Sequence, residues 1–322
     1  MKFSDLASFR HALQDFCGAH AASVKQFKSG TSFTKGIDES PDGKLHTTTT
    51  ATCIESLLEC PESPRGDGAD SVETMARTFA KAALDRPEES WRSERSAGIY
   101  CRCRALPLAI RYSAGFGAQI GEHVERILGQ VRDKQDRFGI GEADPKEKPP
   151  SNYPPNAFHT FWTLEVLEEF ERRLKDRYQE LDGRLGIGHL RAGMILWAKN
   201  SLAFQVSLHS AGSSDLDSDQ LAWSLAVLLK FTDGYLTDLG EQDLVREALK
   251  RLFETQLKTG SWRHYRSLFH YRDAGNAYCY VYETFAVLLR IALMEKKRGG
   301  VLLREWLRPH LDELVKLWRY AD

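Results

Sequence analysis

Apolar residues recur three and four positions apart along most of the chain, with charged residues filling the gaps between them. That is the period of a helix that buries one stripe. It predicts helices over residues 5–16, 71–84, 116–138, 158–181, 188–208, 219–231, 241–256, 277–294 and 301–318. No run alternates apolar and polar residues for long enough to predict a strand. Two segments break the pattern and read as loops: 29–44, rich in Gly, Ser, Thr and Lys, and 143–155, which holds Pro145, Pro149, Pro150, Pro154 and Pro155. Similar helix starts lie on both sides of the Pro-rich loop. A single domain over 1–322, crossed by a long loop at 143–155, is therefore expected. Within 158–181, Glu168/Arg172, Glu169/Arg173 and Glu171/Lys175 are spaced i,i+4, which predicts a solvated outer face.

The helix starts repeat. Thr50-Ala51-Thr52-Cys53, Ala97-Gly98-Ile99-Tyr100-Cys101, Asn156-Ala157-Phe158-His159-Thr160, Ser218-Asp219-Gln220-Leu221-Ala222 and Gly275-Asn276-Ala277-Tyr278-Cys279 each lead into an apolar helix. These starts recur about every 46 to 62 residues, and a second, more charged helix fits within most intervals. Each unit then reads as a hairpin of an apolar inner helix and a charged outer one, with a small or polar residue capping the inner start. About five hairpins closed in a ring make an all-α, α/α toroid. The same hairpins left unclosed make an open α-solenoid.

Composition narrows the classes. A chain of 322 residues and 36.6 kDa, 42% hydrophobic and 28% charged, buries a core, which excludes global disorder. Lys+Arg 44 against Asp+Glu 45 leaves a net charge of -1, so bulk charge drives no binding to nucleic acid or anionic membrane. Met1-Lys2-Phe3-Ser4-Asp5-Leu6 lacks the apolar run of a secretory signal. No stretch reaches the roughly 18 apolar residues of a spanning helix, and a cytoplasmic location is expected. The six cysteines, Cys17, Cys53, Cys60, Cys101, Cys103 and Cys279, follow neither a disulfide framework nor a paired CxxC zinc spacing.

Two segments carry a resemblance to a known family. Gln256-Leu257-Lys258-Thr259-Gly260-Ser261-Trp262 ends a helix in Gln-x-x-x-Gly-x-Trp and is similar to the QW repeat of the terpenoid cyclase and prenyltransferase superfamily. Asp215-Leu216-Asp217-Ser218-Asp219-Gln220-Leu221-Ala222 resembles the DxDD segment of class II terpene cyclases, with Ser218 at the third aspartate and Asp219 following it. The resemblance implies an α/α toroid with a central apolar cavity and general-acid chemistry on an isoprenoid-like substrate. Asp217 would be the acid, and Asp215 and Asp219 would raise its pKa. His159, Trp162, His209, Trp223, Asn276, Tyr278 and Tyr280 would line the cavity, the aromatic faces stabilising carbocations. The protein prenyltransferase relatives hold zinc with Asp-x-Cys and a distant His. Asp273 and Cys279 do not have that spacing, and although His264, His270 and Cys279 lie close in sequence, no metal or cofactor is assigned.

The same residues carry a plainer chemistry. Ser214, Asp215, Asp217 and Ser218 are good N-cap residues, and acids at a helix start favour the macrodipole. Aromatics at helical spacing also build cores. Two functions stay open: an enzyme on an isoprenoid-like or other apolar small molecule, and a non-catalytic binding or sensor module for a peptide, lipid or partner protein. Over 301–318, Val301, Leu302, Trp306, Leu307, Leu311, Leu314, Val315 and Trp318 spread wider than one stripe, with Pro309 among them. That C-terminal helix either packs as the last outer helix or contacts a protein partner.

Overall fold

The computed structural model describes residues 28–29, 32–33, parts of 50–58, and 71–85, 98–112, 114–132, 157–210 and 218–255. Strands β1 (Lys28–Ser29) and β2 (Ser32–Phe33) form a two-residue antiparallel ladder at the start of the segment 29–44 expected to be loop. A ladder that short has no room for an alternating pattern, which is why none shows in the sequence. The remaining described elements are helical. They begin with helical positions at Thr50, Ala51, Ile54, Glu55, Leu57 and Leu58, and continue with α1 (Val72–Leu84), α2 (Gly98–Tyr112) and a 3-10 turn (Ala114–Phe116). Then follow α3 (Gly117–Arg132), α4 (Ala157–Arg173), α5 (Lys175–Leu185), α6 (Ile187–Ser210), α7 (Ser218–Phe231), the single turn α8 (Gly234–Thr237) and α9 (Leu239–Glu254). No described helix is long and apolar enough to cross a membrane.

Burial sorts these helices into two kinds. In α1, Val72, Met75, Ala76, Phe79, Ala80, Ala83 and Leu84 form one buried stripe, and α9 does the same with Val245, Ala248, Leu249, Leu252 and Phe253. By contrast α4 is buried without a break from Ala157 to Leu167, and α7 from Leu221 to Leu229. Helices buried all round belong to the middle of a packed array. In that middle row α2 packs on α4 and α4 on α7, while α1 covers α2 and α6 and α9 cover α7.

The middle row runs in one direction. Cys103 Sγ lies 3.4 Å from Thr163 Oγ1, and eight residues further along α2, Arg111 Nε donates to Glu169 Oε1 at 2.9 Å. Earlier meets earlier and later meets later, so α2 and α4 are parallel. In the same way Gln220 Oε1 accepts from the Ala157 backbone N–H at 2.9 Å, and Lys230, near the end of α7, pairs with Glu165. Parallel neighbours about sixty residues apart are the geometry expected of the repeated hairpins.

Two expectations about 158–181 are corrected, the second only in part. The helix is broken at Leu174, where φ is -131° and ψ 52°, into α4 and α5. No Gly or Pro marks the break. The Leu174 side chain lies against Gly117 at the start of α3, so tertiary packing places it. The i,i+4 charges form a solvated face only in part: Glu171, Arg172, Arg173 and Lys175 are exposed and Arg173 meets Glu169 at 3.9 Å within the helix, but the glutamates also reach other helices. Glu169 is buried and accepts from Arg111 on α2 as well as Arg172, Glu168 reaches Lys230 on α7 at 3.1 Å, and Glu171 reaches Arg191 on α6 at 2.8 Å. Each carboxylate has a cation on a neighbouring helix.

Candidate functional site

The first turns of α4 and α7 lie side by side. Ala157 opens α4, and its N–H, which has no partner within its own helix, is satisfied by the Gln220 side chain of α7. This fixes the register of the two helices and brings their aromatic residues together. Phe158 and Trp223 meet edge to face at 4.9 Å between centroids, Phe161 and Trp162 do so at 5.4 Å, and Phe161 and Trp223 lie 5.2 Å apart. Trp162 and Trp223 are 6.2 Å apart, and His159 stands edge to face with Phe158 at 5.8 Å. Three of the residues expected at the site, His159, Trp162 and Trp223, thus belong to one cluster, and all three are buried.

A cation is already part of that cluster. The Arg104 guanidinium carbon lies 3.6 Å from the centroid of the Trp162 ring, the distance of a close cation–π contact. Its Nη1 donates to Glu55 Oε2 at 2.8 Å, and both side chains are nearly excluded from solvent. A buried charge needs such a partner, because an unpaired guanidinium in this apolar setting costs several kcal/mol. Further along, Lys230 reaches Glu165 and Glu168, with its ammonium 5.1 Å from the Phe231 ring centroid. Around Glu169, burial works to lower the Arg111 pKa, but the Glu169 and Glu55 carboxylates outweigh it and leave the guanidinium above its ordinary value. Arg111 is therefore a fixed positive charge.

These pairs form a series. Glu55–Arg104 joins the 50–58 segment to α2, Arg111–Glu169 joins α2 to α4, and Glu165–Lys230 joins α4 to α7. Among the described residues, each of these three junctions between successive inner helices carries a largely buried carboxylate and its cation. Arg104, Glu55, Gln220 and Lys230 were not among the residues expected at the site. Their signal was available, since Glu55 and Arg104 interrupt the apolar runs Ile54–Leu58 and Cys103–Ile110, where a charge needs a tertiary partner.

Of the remaining expected residues, His209 lies on α6 and Asp219 on α7, and their side chains fall outside the described residues. Asp215, Asp217, Asn276, Tyr278 and Tyr280 also lie outside them, as do the Gln256 to Trp262 segment, the helices expected at 5–16, 277–294 and 301–318, and the loop at 143–155. A surface hollow of about 560 Å³ is lined by Arg173, Leu174, Lys175, Asp176, Arg177 and Glu180, about 16 Å beyond Trp162 along the chain. It is separate from the aromatic cluster. Among the described residues no group of three His, Cys, Asp or Glu side chains is placed to hold a metal ion. No family model, curated protein or solved structure matches the chain.

Proposed function

We propose that this chain is a non-catalytic binding module, an array of helical hairpins that engages a peptide, lipid or partner protein through its surface. The observation that carries this reading is Arg104. A cyclase uses the faces of buried aromatics to stabilise a substrate cation. Here the Trp162 face holds the protein's own guanidinium, tied in turn to Glu55. A substrate carbocation would have to displace the Arg104 guanidinium from that face and would then stand beside a like, buried charge.

The second reading is the terpenoid-cyclase-like enzyme, with Asp217 as general acid flanked by Asp215 and Asp219. One observation favours it: the Asp215 to Ala222 segment runs directly into α7, whose Trp223 belongs to the aromatic cluster. Incubating the protein with linear isoprenoid diphosphates of several lengths separates the two. The binding-module reading expects no new product by mass spectrometry. A cyclic or transferred product, lost in Asp217→Asn at unchanged Tm, would overturn it and establish the enzyme.

A further inference from the structure

The outer helix α6 departs from the rule its neighbours obey. An outer helix keeps charges on its free face, as α3 does with Glu122 and Arg126 and α9 with Asp243, Arg246 and Lys250. On α6 the exposed positions among the described side chains from Ala192 onward are Ala192, Leu196, Asn200, Ala203, Phe204 and Ser207, and none is ionisable. Leu196 is 56% exposed and Phe204 58%. Among the described residues the large exposed hydrophobic side chains are these two, Leu239 at 76% and Phe116 at 38%. Leu239 opens α9, whose Glu241 accepts from Lys199 of α6 at 2.5 Å.

The chemistry of this face fits a second copy of itself. The cations that border it are already matched within the chain, Arg191 by Glu171 and Lys199 by Glu241, so it presents no uncompensated charge for an oppositely charged partner to meet. The Ser207 hydroxyl donates to the Phe204 carbonyl at 2.8 Å and is satisfied within the helix. That leaves Asn200 as the polar group in mid-stripe, and an amide, being both donor and acceptor, pairs with its own copy across a two-fold axis. With the axis beside Asn200, Leu196 of one chain falls four residues before it and faces Phe204, four residues after it, of an antiparallel partner. Small Ala192 and Ala203 let the two helices approach. The stripe is about 24 Å long. A net charge of -1 sets no long-range repulsion between copies.

We propose that α6 is the core of a two-fold interface between two copies of this chain. The inference uses nothing from the aromatic cluster and stands whether or not the chain is catalytic. Sedimentation velocity and light scattering on the full chain over a dilution series should show a closed monomer–dimer equilibrium. Leu196→Glu with Phe204→Glu should give a monomer of unchanged helicity and Tm, whereas Phe116→Glu should leave the dimer intact. Asn200→Asp places two carboxylates across the axis. It should weaken the dimer about tenfold at low salt and recover as salt screens them. A wild-type chain still monomeric at about 100 μM, a dimer that survives the double glutamate variant, or open-ended association would each overturn the proposal. The monomeric outcome would hand the face to a different partner.

Discussion

Arg104 and Glu55 show how a single buried pair ties the fold together. Arg104 sits among Cys103, Ala105, Leu106 and Leu108 in the apolar interior, where its charge is tolerated because Glu55 accepts its hydrogen bond and Trp162 covers its face. Removing one member leaves the other charged and buried. Glu55→Ala is therefore expected to cost about 3–5 kcal/mol in urea unfolding. The double change Glu55→Leu with Arg104→Met, which removes both charges and keeps the volume, should cost far less. Equal losses for the single and double variants would show that packing, not charge, holds this junction.

At the scale of the element, local chemistry sets several of the helix ends. Ser71 Oγ accepts from the Thr74 N–H at 3.1 Å, and Asp238 Oδ1 caps α9 through the Glu241 N–H at 2.9 Å. Gly186, at φ 66°, takes the left-handed turn between α5 and α6 that a residue with a Cβ resists. Ser71→Ala should accordingly cost about 1 kcal/mol by denaturant titration, and Ser71→Gly only a few tenths. A matched loss in both would place the hydroxyl's contribution elsewhere. Two features of these elements follow no local rule. α2 continues through Pro107, which lacks the N–H for the preceding turn, because Leu106, Leu108, Ala109 and Ile110 are buried around it. α4 stops at Leu174 although its sequence runs on as a helix former.

For the whole molecule, the parallel inner row is the framework, and whether it closes is a matter of curvature. The toroid expected from the repeat would be compact, with a radius of gyration near the roughly 20 Å of a globular chain this long. An open solenoid of the same hairpins would exceed it. Small-angle X-ray scattering on the Leu196→Glu/Phe204→Glu variant, monomeric under the α6 proposal, reads that dimension without contribution from association. A markedly larger radius would replace the toroid with the solenoid.

The all-helical class, the positions of α1, α6, α7 and α9 to within a few residues, and the sixty-residue spacing of parallel neighbours were legible in the linear pattern. Each follows from periodicity and capping, which act over three or four residues. His159, Trp162 and Trp223, expected to line a cavity, instead pack against one another in a buried cluster. The partners of the charges were not legible. Glu168, Glu169 and Glu171 sit at intrahelical spacing in the sequence, yet their cations include Lys230, Arg111 and Arg191 on three other helices. A carboxylate within a turn of several cations pairs according to which of them shares its burial, and burial is set by the neighbouring helices. The break at Leu174, the occupation of the Trp162 face by Arg104 and the exposure of Leu196 and Phe204 have the same origin, since each depends on which surface another hairpin covers.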